Sequence, residues 1–155
     1  FRLRSMLLNA MRNETVKAKE ILENGKHSCV FVSKKETAIS DERGVKPLLG
    51  LLSDKKDMSS FSAADKIVGR AAAFLYVLLG VKEVYAEVLS KKARPVFDRY
   101  GITVFSGTET EEIINRDKTG ICPMEKAVEN TENPEEARRK IEETLEKLIK
   151  NAENG

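Results

Sequence analysis

The sequence predicts an α/β fold in which a two-stranded hairpin is followed by parallel strands. A strand predicted over 81–89 carries apolar residues on both faces, as strands in the interior of parallel sheets do. Strand, helix and strand then alternate over 81–105, which requires a parallel crossover. The β-branched and aromatic segment over 28–33 is joined by a tight turn to a second strand over 36–41, which indicates the hairpin.

A buried helix is predicted from Ser62 to Leu79, and the other elements are expected to cover it. Asp65 lies three residues after Ser62, which is the spacing of a capping box at a helix start. From Ile67 onward nearly every residue is apolar or small, so no polar face remains for solvent. Gly80 is expected to end this helix.

The remaining elements follow from apolar periodicity, glycine stops and proline positions. They are helices over 13–24, 47–52, 91–100, 122–130 and 134–152, a strand over 102–105 and a short helical turn over 111–115. The polar loop NRDKTG precedes the helix at 122. The predicted organisation is an N-terminal extension over 1–12, a core domain over 13–130, and a linker with an amphipathic helix over 131–155.

The composition is typical of a soluble globular chain and does not indicate binding to nucleic acid or to a membrane surface. Hydrophobic residues make up 41% and charged residues 34% of 155 residues, and the net charge of +2 argues against a dedicated nucleic-acid-binding or membrane-surface protein. Two cysteines are too few for a disulfide framework. The longest apolar run is about half the length of a bilayer-spanning helix, and no signal peptide is predicted. We therefore expect a cytoplasmic location.

The segments DKIVGRAAAFLYVLLGVKEVYAEVLS and GICPMEKAV resemble a prokaryotic family known only as a domain of unknown function with a cytidine deaminase-like fold. The resemblance runs from about residue 13 to residue 128. It implies a three-layer α-β-α sheet with a hairpin followed by parallel strands. The helix over 134–152 lies outside the resemblance and is expected to be a C-terminal extension.

This sequence departs from active deaminases at their zinc ligands. Those enzymes use a His or Cys at the start of the buried helix and two cysteines at the start of the next helix. Here residues 54–79 contain neither type, and the next helix opens with SKKA over 90–93. His27, Cys29 and Cys122 are the only other soft ligands, and Cys29 is more typical of a small core residue. We therefore predict no metal, no cofactor and no zinc-dependent deamination.

Four residues near the start of the predicted buried helix are candidates for binding an anion. Asp65, Lys66, Gly69 and Arg70 would lie where backbone amides and the helix dipole favour negative charge. Lys66 and Arg70 are four residues apart and would share a helix face, and Gly69 would allow close approach. The simpler alternatives are that Asp65 caps the helix and that Arg70 is solvated. Gly120 is expected in a loop that closes over the ligand.

Glu87 and Cys122 are the candidate catalytic residues. Glu87 lies in a strand that is predicted to be buried, and a buried carboxylate needs a partner such as Lys66 or Arg70, unless the strand ends early. Cys122 would stand at the start of a helix, where the dipole stabilises a thiolate, although Glu125 would oppose this. The alternative is that Cys122 is simply part of a structural helix start.

Three functions remain open. The first is binding of a nucleotide, nucleobase or other anionic metabolite on a deaminase-like scaffold without zinc. The second is a metal-independent enzyme that uses Cys122 as a nucleophile, or Glu87 and Asp65 as an acid–base pair. The third is an assembly module, with a homodimer formed through the core or through the helix over 134–152.

Overall fold

The structure is a computed structural model and describes residues 10–115, 118 and 120–154. Within these residues the chain forms six helices and five strands. They are α1 (Asn13–Asn24), β1 (Cys29–Val32), β2 (Thr37–Ser40), α2 (Lys46–Ser53), β3 (Ser62–Val68), α3 (Arg70–Leu79), β4 (Glu83–Ser90), α4 (Arg94–Arg99), β5 (Thr103–Thr110), α5 (Pro123–Ala127) and α6 (Pro134–Asn154). Most of the predicted extension over 1–12, and part of the polar loop over 115–120, lie outside the described residues.

The five strands form one mixed sheet in the order β2-β1-β3-β4-β5. β1 pairs antiparallel with both β2 and β3, so the predicted hairpin is confirmed. β3, β4 and β5 are parallel to one another, which confirms the predicted parallel pairing across 81–105. The carboxyl ends of these three strands therefore meet at one edge of the sheet.

Helices cover both faces of the sheet, so the described chain has three layers. On one face α1 buries Leu22 against Val30, Ala64 and Tyr85. On the other face α3 lies at the centre, with α2, α4 and α6 in contact with it. The apolar residues of α3 are buried almost completely because sheet and helices enclose the helix from several sides.

The predicted single helix from Ser62 to Leu79 is wrong in its first half. Residues Ser62–Val68 form β3, the central strand of the sheet, and the helix begins only at Arg70. Ala63 and Ala64 are completely buried on opposite faces of β3, where small side chains let helices pack closely from both sides. The helix preference of alanine is worth only a fraction of a kcal/mol, so this tertiary packing overrides it. The predicted capping box of Ser62 and Asp65 therefore does not form.

Several other predicted element bounds are confirmed, and two of the predicted helices are too long. α1 has the predicted bounds over 13–24, and Gly80 ends α3 with a φ of 71° in the left-handed region. Gly101, with a φ of 73°, follows α4, which begins at Arg94 and not at residue 91. The predicted helix over 122–130 shortens to α5.

The segment after Phe105 is extended where the sequence predicts a loop and a helical turn. β5 continues to Thr110 because it pairs with β4 along its whole length. The helical turn predicted over 111–115 is wrong, since Ile114 forms an antiparallel bridge with Ile121. The β-branched isoleucines favour this extended pairing.

The C-terminal helix docks on the core through its first half. Ala137 and Ile141 of α6 are completely buried, whereas Leu148 and Ile149 are exposed. The predicted linker over 131–133 is also fixed, because Thr131 is buried and its hydroxyl accepts a 2.9 Å hydrogen bond from Lys140 Nζ. Dimerisation through α6 or the core stays a prediction. Among the described residues, no helix combines the length and apolar character that crossing a bilayer requires.

Candidate functional site

A cavity of about 360 Å³ lies at the carboxyl edge of the parallel strands β3, β4 and β5. Ligands of open α/β sheets bind outside this edge, where loops from neighbouring strands converge. The segments that follow all three strands contribute walls, together with α5. The lining residues are Arg70, Lys91, Lys92, Pro95, Glu112, Ile113, Ile121, Glu125 and Glu129.

The carboxylate of Glu125 is bound at the start of α3. Its Oε1 accepts the backbone N–H of Arg70 and its Oε2 accepts that of Ala71, each at 2.7 Å. These amides have no partner within the helix, and the helix dipole favours a negative charge beside them. A β-carbon at Gly69 would collide with this carboxylate, so the glycine leaves the space that Glu125 occupies.

The side chain of Arg70 fastens α3 to the connection between α5 and α6. Its Nε donates to the carbonyl oxygen of Val128 at 3.2 Å, and its Nη2 donates to the carbonyl oxygen of Thr131. The same Nη2 lies 3.1 Å from Oε1 of Glu132, and the guanidinium packs over the ring of Phe74. Arg70 lines the cavity, but its hydrogen-bond donors are used in contacts within the protein.

Lys91 and Lys92 supply the accessible positive charge of the cavity. Lys91 Nζ lies 2.6 Å from Oε1 of Glu111, and Lys92 Nζ lies 3.1 Å from Oε1 of Glu112. The hydrogen bond and the charge of Glu111 raise the pKa of Lys91. Both ion pairs are exposed, and exposed pairs contribute about 0–1 kcal/mol, so a more highly charged anion can replace the glutamates.

Asp65 is a candidate that the structure places outside the cavity. It lies on β3 opposite Cys29 of β1, and its Oδ2 accepts a 2.7 Å hydrogen bond from the Tyr76 hydroxyl of α3. Burial raises the pKa of Asp65 to about 7, although the hydrogen bond from Tyr76 acts in the opposite direction. Burial and the charge of Asp65 also raise the pKa of the Cys29 thiol, and Cys29 is a core residue as the sequence indicates.

Lys66 and Glu87 lie on the opposite face of the sheet from Asp65. The register pairs Asp65 with Ala86, so the next residue on each strand, Lys66 and Glu87, points to the other face. Glu87 is exposed, so its predicted burial is wrong, and the two carboxylates cannot form the predicted acid–base pair. Lys66 and Arg70 also do not share a helix face, because Lys66 belongs to β3.

The buried carboxylate of β4 is Glu83, which the sequence reasoning missed. Its side chain is 5% exposed, and its Oε1 accepts the backbone N–H of Arg12 at 2.8 Å. Arg12 immediately precedes α1, so Glu83 attaches that helix to the sheet.

Cys122 and Gly120 lie beside the cavity without lining it. Cys122 precedes α5, is partly buried, and donates its backbone N–H to the carbonyl oxygen of Ile113 at 2.9 Å. Gly120 is exposed, and its carbonyl oxygen accepts the N–H of Asn115 at 2.9 Å. Their neighbour Ile121 does line the cavity. The roles of Cys122 in catalysis and of Gly120 in binding stay predictions.

The candidate metal ligands His27, Cys29 and Cys122 form no common site among the described residues. His27 Nδ1 lies 2.7 Å from Oδ1 of Asp41 at an exposed position. Cys29 is buried in the core and Cys122 precedes α5. Within the part of the chain that the structure describes, no group of three His, Cys, Asp or Glu side chains is arranged to hold a metal ion.

Sequence reasoning assigned no role to Lys91, Lys92 or the apolar residues Ile113 and Ile121. Of its binding candidates, the structure brings Gly69 and Arg70 to the cavity and places Asp65 and Lys66 elsewhere. A positional signal was available for Lys91 and Lys92, because they directly follow the strand predicted over 81–89. Glu125 lies 55 residues from Arg70 along the chain, and only the tertiary structure shows that they are in contact.

Comparison with known proteins identifies the family. A family model described as "TM1506: Domain of unknown function (DUF1893)" matches residues 17–145. The crystal structure of a DUF1893 family protein, TM1506 from Thermotoga maritima, superposes with a TM-score of 0.78 at 27% sequence identity, and the match covers 89% of this chain and 92% of that chain. A comparison with curated proteins finds no match. The chain belongs to the DUF1893 family.

Proposed function

We propose that the protein binds a nucleotide, a nucleobase or another small anionic metabolite in the cavity, and does so without zinc. The observation that carries the proposal is the position of Lys91 and Lys92. Both lie directly after β4, at the carboxyl edge where ligands of α/β sheets bind, and both line the cavity. An anionic group placed between them would contact two ammonium groups.

The positive and negative formal charges that line the cavity are equal in number, but they are not equally available to a ligand. Arg70 donates to Val128, Thr131 and Glu132, and the carboxylate of Glu125 is held by the amides of α3. Among the described residues, the ammonium groups of Lys91 and Lys92 are bound by the exposed Glu111 and Glu112. A phosphate group carries close to two negative charges at neutral pH, so it competes well with a single carboxylate for an ammonium group.

The apolar walls suit the uncharged part of such a ligand. Pro95, Ile113 and Ile121 line the cavity beside the lysines. Its volume of about 360 Å³ is within the range of small-molecule sites, which combine apolar walls with a few placed polar groups. A base or another flat apolar group could pack on the isoleucines while its phosphate contacts Lys91 and Lys92.

The deaminase-like scaffold is part of the same proposal. In the active deaminases that this fold resembles, the zinc ligands lie at the starts of the helices that follow two successive strands. The matching positions here are Gly69 and Arg70 after β3, and Lys91 and Lys92 after β4. Amides and cations at these places support anion binding where an active deaminase has its metal.

The proposal is tested by thermal unfolding of the protein in the presence of single compounds. The panel contains pyrophosphate, nucleoside monophosphates, nucleobases and simple carboxylates. We expect phosphate-bearing compounds to raise the unfolding temperature, and the double substitution Lys91→Ala and Lys92→Ala to abolish that rise. Lys66→Ala removes one positive charge from an exposed position outside the cavity and should leave the rise unchanged. No rise with any compound would contradict the proposal.

A further inference from the structure

Glu125 makes the contacts at α3 that an anionic group of a ligand would make. Its two carboxylate oxygens accept adjacent backbone N–H groups, at 2.7 Å each, at the start of a ten-residue helix. The carboxylate also lines the same cavity as Lys91 and Lys92. An anion bound to the lysines would therefore lie beside a position that already holds a negative charge.

The segment that carries Glu125 packs on the core through the partly buried side chains of Met124 and Ala127. α5 contains five residues, and none of them is buried. Immediately after it Val128 is completely buried, and Arg70 holds the carbonyl oxygens of Val128 and Thr131. The chain is thus fixed just beyond α5, and α5 itself contacts α6, so release of Glu125 from the amides requires rotation of its side chain and no displacement of either helix.

We infer that Glu125 occupies the ligand's place within the chain itself, and that a ligand phosphate or carboxylate displaces it from the amides of Arg70 and Ala71. This inference rests on the proposed function, because Glu125 lines the proposed binding cavity. Displacement lets the ligand's anionic group contact both amides as well as Lys91 and Lys92. The movement of the Glu125 side chain then couples binding to a change in the cavity wall.

A tethered carboxylate weakens binding in two ways. It competes with the ligand at a high effective concentration, of the order of millimolar for a short flexible connection. It also repels an incoming anion through the low-dielectric protein. The affinity of the cavity is therefore set by the strength of the Glu125 contacts, and weakening those contacts should increase it.

The test is a calorimetric titration of inorganic phosphate into the wild type, Glu125→Gln and Glu129→Gln. Glu129 is exposed and lines the same cavity, and among the described residues its side chain forms no hydrogen bond or ion pair. Its substitution removes the same charge and so measures the electrostatic gain alone. We expect Glu125→Gln to bind phosphate roughly tenfold more tightly than the wild type, and Glu129→Gln to gain about threefold or less. An equal gain in the two variants, or no gain, would overturn the inference.

The amide hydrogens of Arg70 and Ala71 report the displacement directly. In Glu125→Ala they should exchange with solvent faster than in the wild type, and added phosphate should restore their protection. If phosphate binding requires Lys91 and Lys92 but is unaffected by Glu125→Gln, the inference fails while the proposed function stands. If neither the wild type nor Glu125→Gln binds phosphate, the inference fails, and the proposed function fails with it if no compound of the thermal-unfolding panel binds either.

Discussion

The hydroxyl of Tyr76 donates a 2.7 Å hydrogen bond to Oδ2 of Asp65, which joins the central helix α3 to the central strand β3. The two residues lie in the stretch that the sequence predicts as one continuous helix. Tyr76 is completely buried and packs between the rings of Phe31 and Phe97. The carboxyl group of Asp65 is therefore held against the apolar core, which explains the rise of its pKa to about 7.

Asp65 should make stability fall as the pH rises from about 4 to about 7. The folded protein retains the proton over this interval, because its Asp65 pKa is about 7, whereas the unfolded chain releases it near 3.8. The contribution of Asp65 to the free energy of unfolding is then constant below and above this window. Asp65→Asn keeps an acceptor for Tyr76 but cannot titrate. Between pH 4 and pH 8 the wild type should therefore lose roughly 2–4 kcal/mol more of its free energy of unfolding than Asp65→Asn does.

Urea unfolding of both proteins at several pH values measures this difference. The wild type and Asp65→Asn should converge near pH 4 and separate by pH 7. Parallel pH profiles for the two proteins would show that Asp65 ionises in the folded state as it does in the unfolded chain.

Tyr76→Phe should raise the pKa of Asp65 further. The hydrogen bond from Tyr76 stabilises the carboxylate and is the main influence that lowers this pKa. Its loss should cost about 1–3 kcal/mol of stability at pH 8, where Asp65 is charged, and less at pH 5. The carboxyl carbon resonance of Asp65, followed by NMR against pH, gives the pKa in both proteins. An unchanged or lower pKa in Tyr76→Phe contradicts the expectation.

Gly69→Ala should break the contact between Glu125 and α3. The backbone at Gly69 is extended (φ −100°, ψ −172°), so alanine causes no backbone strain, and the cost comes from the collision with the carboxylate. Loss of two hydrogen bonds predicts a decrease of about 1–2 kcal/mol in the free energy of unfolding. In the background of Glu125→Ala the same substitution should cost much less. Additive effects in this double-mutant cycle would show that the collision is not the cause.

The two cysteines should differ sharply towards a thiol reagent. Cys122 is partly exposed and should react in the folded protein, whereas Cys29 is buried and has a raised pKa, so it should react only after unfolding. Cys122→Ser should remove the native reaction entirely. The rate at neutral pH also bears on the enzyme alternative, since a Cys122 that reacts no faster than free glutathione would exclude it as an activated nucleophile.

The sequence predicted the parts of the fold that depend on local signals. Gly80 and Gly101 end their helices, Pro47 lies in the first turn of α2, and α1 has the predicted bounds. These features arise from backbone preferences of single residues, which act without tertiary context. The hairpin and the parallel strands followed from β-branched and apolar segments and from the order of the elements along the chain.

The central strand β3 could not be recognised in this way. Its residues Ser62, Ala63 and Ala64 are small and fit either a helix or a strand, and only the neighbouring strands and the helices on both faces decide between them. The candidate site changed for the same reason. Because β3 is a strand, Asp65 and Lys66 lie on opposite faces of the sheet. The lysines that line the cavity are Lys91 and Lys92, which follow the next strand.

Anion binding at the carboxyl edge is tested most directly by an NMR titration of the isotope-labelled protein with pyrophosphate. We expect the largest saturable changes in amide chemical shift at Arg70, Lys91, Lys92 and Glu112, which surround the cavity. Absence of saturable changes, or changes centred elsewhere, such as around His27 or Leu148, would contradict a ligand site between the two lysines.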